Sequence, residues 1–297
     1  MARRFIALPI LVLAACKSRS DPPPPPAPTP TATSSPARSI DPPAAPGALA
    51  PNLRTAADGV LATWLEPAGE RAHRLRFSRW ANDAWSAPVT IVEDARIVAN
   101  WADVPSVAQA GDGALVAHWA EASGGEAYAY DAVVARSTDS GATWKRVGTL
   151  HEDGTATEHG FVSLLGEPEG VRAFWLDGRA TAKGGAMTLR TATVAGTIAA
   201  GEVVDDRVCD CCGTAAVSTA DGPVVAYRDR SDDEIRDIAA SRLVAGRWSE
   251  PAAVHRDGWQ IAGCPVNGPA LAARDRRVAI AWYSYAESTH RVRAAFS

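Results

Sequence analysis

The chain has 297 residues, of which 46% are hydrophobic and 22% are charged. Its 30 Lys and Arg residues and 34 Asp and Glu residues give a formal net charge of −4. That balance argues against a general nucleic-acid or anionic-membrane binder, because both need a basic surface. We therefore expect no nucleic-acid partner.

The first 15 residues have the form of a secretory leader. Two arginines precede an apolar run, residues 5–13, which is too short to span a bilayer. The run ends in Leu-Ala-Ala-Cys at Cys16, which resembles the lipobox of bacterial lipoprotein signal peptides. The resemblance implies a signal peptide over 1–15 and a membrane anchor through a lipid on Cys16. Since Lys17 is not the Asp that retains some lipoproteins at the inner membrane, the expected location is the bacterial cell envelope, at the outer membrane.

Residues 16–50 are predicted to form a tether. Between Ser18 and Ala50, 11 of 33 residues are proline. Such a segment cannot bury enough apolar surface to fold and stays extended. It would hold a folded domain, residues 51–297, away from the membrane.

The folded domain repeats one phrase five times. A short turn is followed by an alternating apolar run that ends in an aromatic residue and a polar or acidic one, as in Asp-Gly-Val-Leu-Ala-Thr-Trp-Leu-Glu. The aromatic positions lie 52 to 56 residues apart, and they are Trp64, Trp119, Trp175, Tyr227 and Trp282. Alternation predicts a strand, and the short apolar run before each turn predicts a hairpin partner. Four strands per repeat of about 50 residues is the blade of a β-propeller, so the fold class is all-β.

One turn contains a recognisable motif. The stretch Ser-Thr-Asp-Ser-Gly-Ala-Thr-Trp, residues 137–144, fits the Asp-box pattern in full. The chain therefore resembles the sialidase-like, Asp-box (BNR-repeat) six-bladed propellers. The resemblance implies a structural role for Ser137, Asp139, Gly141 and Trp144: the carboxylate binds turn amides, the glycine takes positive φ, and the indole packs between blades.

The same resemblance sets an expectation for the number of blades. Six blades of about 54 residues need about 325 residues, whereas 51–297 supplies 247 (297 − 50). The sequence thus predicts about four and a half blades of a six-bladed parent, truncated at the C-terminus and closed by a partner or an oligomer. A five-bladed ring completed by the N-terminal segment is the alternative, although its prolines make a poor closing strand.

The Asp-box turn also indicates which loops carry function. Second-to-third-strand loops and blade-to-blade connections should emerge on the opposite face, where propellers bind ligands. Carboxylates, arginines and aromatics in those loops suit a sugar or another polar, anionic ligand, because arginine forks bind carboxylates and aromatic faces stack on sugar rings. The candidate ligand-binding residues are Arg179, Arg228, Arg236, His159, Trp259 and Asn267.

In sialidases an Asp is the acid/base, a Tyr activated by a Glu is the nucleophile, and three arginines clamp the substrate carboxylate. The resemblance makes Asp177, Tyr283 and Glu287 catalytic candidates. However, the Arg-Ile-Pro motif of that family is missing. We therefore interpret the chain as an envelope-anchored propeller that binds a glycan. An exo-α-sialidase-type glycoside hydrolase is the alternative, and whether the chain is an enzyme stays open.

Four cysteines besides Cys16 permit two interpretations. In an oxidising envelope an even count favours disulfides, one of them bridging adjacent blades, and no cofactor. The alternative is a metal-handling protein with copper or zinc at a thiolate site, which His159 could join. The cysteines concerned are Cys209, Cys211, Cys212 and Cys264.

Overall fold

The computed structural model describes residues 38–124 and 128–297, and Asp41–Ser297 form one compact unit. The described residues lie in β-strands, loops and two short 3-10 helices, Thr181–Lys183 and Ala286–Ser288. None of the described helices is long and apolar enough to cross a membrane. The predicted signal peptide, Cys16 and most of the predicted tether lie outside the described residues.

The strands form five antiparallel sheets in chain order. The first sheet contains β1 (Leu49–Ala56), β2 (Gly59–Pro67), β3 (His73–Ala81), β4 (Ala84–Trp85) and β5 (Val89–Asp94). The second contains β6 (Ser106–Gln109), β7 (Leu115–Ala122), β8 (Tyr130–Ser137) and β9 (Lys145–Thr149). The third contains β10 (His159–Glu167), β11 (Gly170–Asp177), β12 (Thr188–Val194) and β13 (Glu202–Asp205).

The last two sheets differ in their outer strands. The fourth contains β14 (Ala215–Thr219), β15 (Gly222–Arg228), β16 (Ile238–Val244), β17 (Arg247–Trp248) and β18 (Ala252–Ala253). The fifth contains β19 (Ala270–Arg274), β20 (Arg277–Ser284) and β21 (Arg291–Phe296). In the first and fourth sheets the outer strand is split into two short pieces that both pair with the third strand. Four of the sheets are thus meanders of the predicted four-stranded kind, and the fifth is a meander of three strands.

Consecutive sheets pack face to face through apolar side chains. Leu61 and Phe77 of the first sheet meet Leu115 of the second, and Trp175 of the third packs with Val116 and Ala108. Further clusters join the third sheet to the fourth and the fourth to the fifth. The five repeated aromatic residues all lie on the second strand of their sheet, and the all-β propeller prediction is confirmed.

The sheets surround a central cavity of about 520 Å³. Its wall is built from the first strand of every sheet, β1, β6, β10, β14 and β19. The described part of the chain therefore forms five blades, and the expectation of a six-bladed parent is corrected. That number came from the Asp-box family, whereas five inner strands are enough to line the cavity in this chain.

The first and the fifth sheet differ in what covers them. The Ala45 N–H donates to Glu66 Oε1 at 3.1 Å, so the last residues of the segment 16–50 pack on the first sheet. On β21, Val292 and Phe296 are 83% and 81% exposed, on the face that points away from the fourth sheet. The fifth sheet is thus covered by apolar neighbours mainly on one side.

Candidate functional site

The antiparallel order decides which loops share an end of the propeller. In each sheet the first-to-second and third-to-fourth connections lie at one end, and the Asp-box turn between β8 and β9 belongs there. The second-to-third loops and the sheet-to-sheet connections lie at the other end, which we call the loop face. Binding residues are expected on the loop face.

The Asp box is satisfied within its own turn. The Ser137 hydroxyl donates to Asp139 Oδ1 at 2.7 Å, and the Thr143 N–H donates to the same oxygen at 2.9 Å. Hydrogen bonds from Thr143 lower the pKa of Asp139 to about 2. The Trp144 indole donates to the Gly141 carbonyl at 3.0 Å. This geometry gives the turn a structural role.

A second set of acids is also structural. In four of the described sheets the second-strand indole N–H donates to a carboxylate: Trp64 to Glu66 (2.7 Å), Trp119 to Glu121 (2.8 Å), Trp175 to Asp177 (2.9 Å) and Trp282 to Asp257 (2.7 Å). In the fourth sheet the Tyr227 hydroxyl donates to Asp205 at 2.8 Å. The catalytic candidate Asp177 belongs to this repeated set and is fully buried.

Two ligand candidates lie together beside the third sheet. Arg179 binds Asp177 with two N–H···O bonds of 2.6 and 2.7 Å. His159 Nε2 lies 3.1 Å from Asp153 Oδ2, and Arg179 Nη2 lies 3.4 Å from the same oxygen. His159 and Arg179 thus belong to one acid–histidine cluster.

Three other candidates lie between the fourth and fifth sheets. The Arg228 guanidinium sits 4.8 Å from the centre of the Trp259 ring and donates to Asn267 Oδ1 at 3.0 Å. It also donates to the Tyr283 carbonyl at 2.9 Å and to the Arg236 carbonyl at 2.6 Å. Because Arg228 is buried and its bonds go to protein atoms, it joins two sheets.

Arg236 is committed to neighbours of its own. Its guanidinium donates to Glu234 Oε2 at 2.8 Å and to Cys209 Sγ at 3.3 Å, and it lies 3.5 Å from Asp210 Oδ2. Arg179 pairs with Asp177 of the third sheet, so the three candidate arginines do not form one clamp.

The remaining catalytic candidates point to other partners. The Tyr283 hydroxyl is 2.6 Å from His290 Nδ1, and Glu287 Oε2 is 3.1 Å from Arg291 Nη2. A sialidase nucleophile needs a Glu beside the Tyr. This geometry gives that pairing no support.

The four cysteines are paired. Cys209 is bonded to Cys212, and Cys211 to Cys264, with Cα–Cα distances of 5.8 and 5.9 Å. The second disulfide joins the segment before β14 to the segment before β19, and so links adjacent sheets. A thiolate metal site would require both disulfides to be reduced first.

On the loop face, acidic and phenolic groups meet at the start of β6, β8 and β10. We call Asp103, Tyr130 and Glu158 the acidic mouth. The Tyr130 hydroxyl donates to Glu158 Oε1 at 2.6 Å. Burial, helped by Asp103 and Asp210, raises the pKa of Glu158 to about 7. Burial also raises the pKa of Asp103 to about 6, although the nearby Phe161 and Val162 amides oppose the shift.

The backbone beside this mouth is specialised. A Cβ on Gly160 would collide with the Asp103 carboxylate and the Tyr130 ring. Phe161, the next residue, has φ +52°, which is uncommon for a residue with a side chain. Asp103 Oδ2 is buried without a hydrogen-bond partner among the described residues. Strain and an unsatisfied polar atom are both more frequent at functional sites.

Two exposed aromatics accompany the acidic mouth. Trp101 is 80% exposed and lies two residues before Asp103, and Tyr128 is 70% exposed and lies two residues before Tyr130. Trp101, Asp103 and Glu158 lie in sheet-to-sheet connections, but only the structure brings the Tyr130 hydroxyl to Glu158. Tyr130 begins a strand of alternating pattern, and that pattern does not indicate that its hydroxyl reaches the segment before the next sheet.

Comparison with known proteins shows the fold alone. Neither a protein-family model nor a curated protein sequence matches the chain. A protein of unknown function from Dyadobacter fermentans aligns with a TM-score of 0.59 and 16% identity, covering 84% of this chain and 76% of that one. The Penicillium chrysogenum α-L-arabinanase complexed with arabinobiose aligns with a TM-score of 0.51 and 15% identity, covering 83% and 81%. The chain is thus similar in architecture to five-bladed glycosidase propellers.

Proposed function

We propose that the protein binds a neutral oligosaccharide at the acidic mouth on its loop face. The observation that carries this proposal is the placement of two exposed aromatics, Trp101 and Tyr128, within two residues of Asp103 and Tyr130. Aromatic faces stack on the apolar faces of sugar rings, and carboxylates accept hydrogen bonds from sugar hydroxyls. Asp103 and Glu158 lie against Tyr130, and one exposed aromatic precedes each of Asp103 and Tyr130 by two residues.

The charge of the mouth favours a neutral sugar over an anionic one. Burial is the first cause that raises the pKa of Asp103 and of Glu158, and no cation among the described residues contributes to either shift. A ligand carboxylate placed there would meet acids without a compensating guanidinium. The candidate arginines Arg179 and Arg236 are already paired with Asp177 and Glu234.

This arrangement bears on the sialidase alternative. Sialoside hydrolysis needs an arginine clamp for the substrate carboxylate and a Tyr–Glu nucleophile pair. The described residues supply neither in one cavity, so we expect no release of a fluorogenic sialoside. The arabinanase of similar fold is complexed with arabinobiose, a neutral sugar, which supports a neutral ligand here.

Binding is tested by titrating the purified chain with arabinobiose, other neutral disaccharides and 3′-sialyllactose in a calorimeter. We expect saturable binding of a neutral sugar and none of sialyllactose. Trp101→Ala should weaken binding about tenfold, equivalent to roughly 1.4 kcal/mol. Phe296→Ala is the matched control, since Phe296 is as exposed as Trp101 but lies on β21. Saturable sialyllactose binding, or equal affinity in Trp101→Ala, would contradict the proposal.

The envelope address is a separate proposal. Lipidation of Cys16 would anchor the propeller to a membrane through the proline-rich segment. Two disulfides support an oxidising compartment. Metabolic labelling with a fatty acid should mark the wild-type chain and not Cys16→Ser. Equal labelling of both would contradict the anchor.

A further inference from the structure

The central cavity is lined by one charged side chain, that of Arg54 on β1. The other residues that line the cavity are apolar or neutral, and none of them is acidic. Arg54 Nη2 donates to the Leu164 carbonyl of β10. A guanidinium has five N–H donors, so one hydrogen bond uses only a small part of its capacity. Arg54 Nε and Nη1 have no hydrogen-bond partner among the described residues and remain accessible.

The charge of Arg54 has no counter-ion among the described residues. Burial lowers the pKa of Arg54, and no carboxylate opposes that shift. The titratable group that responds to its charge is another base: burial, and then the charge of Arg54, lower the pKa of His118 to about 3. A charge removed from water costs free energy unless it is paired. Arg54 would therefore gain from an anion in the cavity.

The neutral polar side chains of the cavity can also donate hydrogen bonds. They come from three strands: Thr55 on β1, Gln109 on β6 and Ser218 on β14. Gln109 Oε1 accepts the Ala57 N–H at 3.1 Å, so its NH₂ group is the part left for a ligand. The hydroxyls of Thr55 and Ser218 can each donate one bond. Donors thus stand on several walls around one guanidinium.

The remainder of the wall is apolar. Leu53, Leu165, Val217 and Leu271 are among its residues. Apolar walls lower the local dielectric constant, which strengthens the attraction between a guanidinium and an anion. An arginine fork binds phosphate-like groups through two parallel N–H···O bonds. The cavity therefore combines a charge suited to an oxyanion with surroundings that screen it weakly.

We propose that the central cavity binds one small tetrahedral oxyanion, of the phosphate or sulfate class, on Arg54. The guanidinium supplies the charge, and Thr55, Gln109 and Ser218 supply further donors, directly or through water. Because these donors lie on different walls, an anion whose four oxygens point in different directions uses them better than a planar carboxylate does. The cavity of about 520 Å³ has room for the anion and several waters, since one water takes about 30 Å³.

An anion can enter from the end of the propeller opposite the loop face. A second cavity shares Thr55 and Gln109 with the central one and reaches Pro168, in the turn between β10 and β11. Glu167 is the one acid among the residues that line this second cavity, and its carboxylate binds Arg172 at 2.6 Å. Residues of the acidic mouth line neither cavity. The oxyanion site is thus separate from the proposed sugar site.

The test titrates the purified full chain with inorganic phosphate in a calorimeter, in a buffer of low ionic strength without other oxyanions. We expect saturable binding of one phosphate per chain, competition by sulfate, and weaker binding of acetate. Arg54→Gln should weaken phosphate binding about tenfold or more, because it removes a charged donor. Arg247→Gln, at an exposed arginine on β17, is the matched control and should bind as the wild type does.

A second variant and a second readout keep the outcome clear. Ser218→Ala removes one hydroxyl at an exposed position, and it should weaken phosphate binding about threefold. Phosphate should raise the thermal midpoint of the wild type, and chloride at the same ionic strength should not. Circular dichroism checks that each variant is folded.

Three results would overturn the proposal. They are no saturable phosphate binding by the wild type, equal affinity in folded Arg54→Gln, and acetate binding as tight as phosphate binding. If Arg54→Gln does not fold, unchanged affinity in Ser218→Ala has the same consequence.

Discussion

The Tyr130 hydroxyl donates a 2.6 Å hydrogen bond to Glu158 Oε1 and so connects the second sheet to the segment that enters the third. Tyr130 is buried and Glu158 is partly exposed, so the bond is partly shielded from water. Tyr130→Phe should lower the free energy of unfolding by about 1–2 kcal/mol, because Glu158 loses a buried donor.

Tyr283→Phe is the matched control for this bond. Its hydroxyl makes a bond of the same length, 2.6 Å to His290, but at an exposed place. Chemical denaturation of both variants gives the comparison. Equal losses would mean that burial of the Tyr130 bond has no energetic consequence.

Asp103 should make stability depend on pH. Its pKa is raised from 3.8 to about 6, so the folded state holds a proton that the unfolded state releases. This contribution is fully present below pH 3.8 and is lost as pH rises through 6. The side chain in Asp103→Asn stays neutral at every pH. As pH rises from 4 to 7, the unfolding free energy of the wild type should therefore fall relative to that of the variant by on the order of 2 kcal/mol.

Urea unfolding at pH 4, 5, 6 and 7 measures that difference directly. Asp139→Asn is the control, since the pKa of Asp139 is about 2 in the folded state and 3.8 in the unfolded state, so both titrations are nearly complete at pH 5. The Asp139 difference should stay constant from pH 5 to 7. If the difference in unfolding free energy between the wild type and Asp103→Asn did not change with pH, the pKa of Asp103 would not be raised.

Repetition made the architecture predictable from the sequence. The spacing of Trp119, Trp175 and Tyr227 fixed the second strand of each sheet, and the hairpin turns fixed its neighbours, since both signals are local. The number of blades could not be predicted from local sequence patterns. It depends on how strongly sheets twist and how many inner strands line the cavity, and the Asp-box resemblance supplied the wrong number.

The candidate sites depended on contacts between distant residues. Tyr130 and Glu158 are 28 positions apart, and the first lies in a run that reads only as a strand. The stacking of His151 on His159 likewise requires the loop between them to fold back on itself. Conversely, Arg228 satisfied the sequence criterion of a charged loop residue, yet its hydrogen bonds are used to join two sheets.

Gly141 should be intolerant of a side chain for two reasons. Its φ is +92°, and a Cβ would collide with the Phe77 ring of the first sheet. Gly113 has a similar φ of +85° but open space around it. Gly113→Ala should therefore cost about 1 kcal/mol, and Gly141→Ala clearly more, about 2–4 kcal/mol. Thermal unfolding of both variants separates strain from overlap, and equal costs would contradict the contact.

The disulfides should contribute unequally to stability. Cys211 and Cys264 are 53 residues apart, and Cys209 and Cys212 only three. Chain entropy gives about 4 kcal/mol for the longer loop and about 2 kcal/mol for the shorter one. Replacing each pair by serines, both members at once, avoids leaving an odd thiol. Equal losses in chemical denaturation would mean that loop closure does not dominate.

The repeated indole–carboxylate pairs should be among the most sensitive polar contacts. Glu121 is buried, accepts the Trp119 indole at 2.8 Å, and is bonded to Arg146 and Arg96. Glu121→Ala leaves the buried Trp119 N–H without its acceptor and removes a carboxylate from Arg146 and from Arg96, which still binds Asp94, so it should cost about 2–3 kcal/mol. Glu93, whose 2.7 Å bridge to Arg74 is exposed, provides the control. Glu93→Ala should cost less than about 1 kcal/mol because water and salt screen that pair. Unfolding free energies in low and high salt test both values, and the Glu121 effect should persist in high salt. A small or salt-sensitive loss of unfolding free energy in Glu121→Ala would mean that the indole–carboxylate pairs contribute little to the stability of the blades.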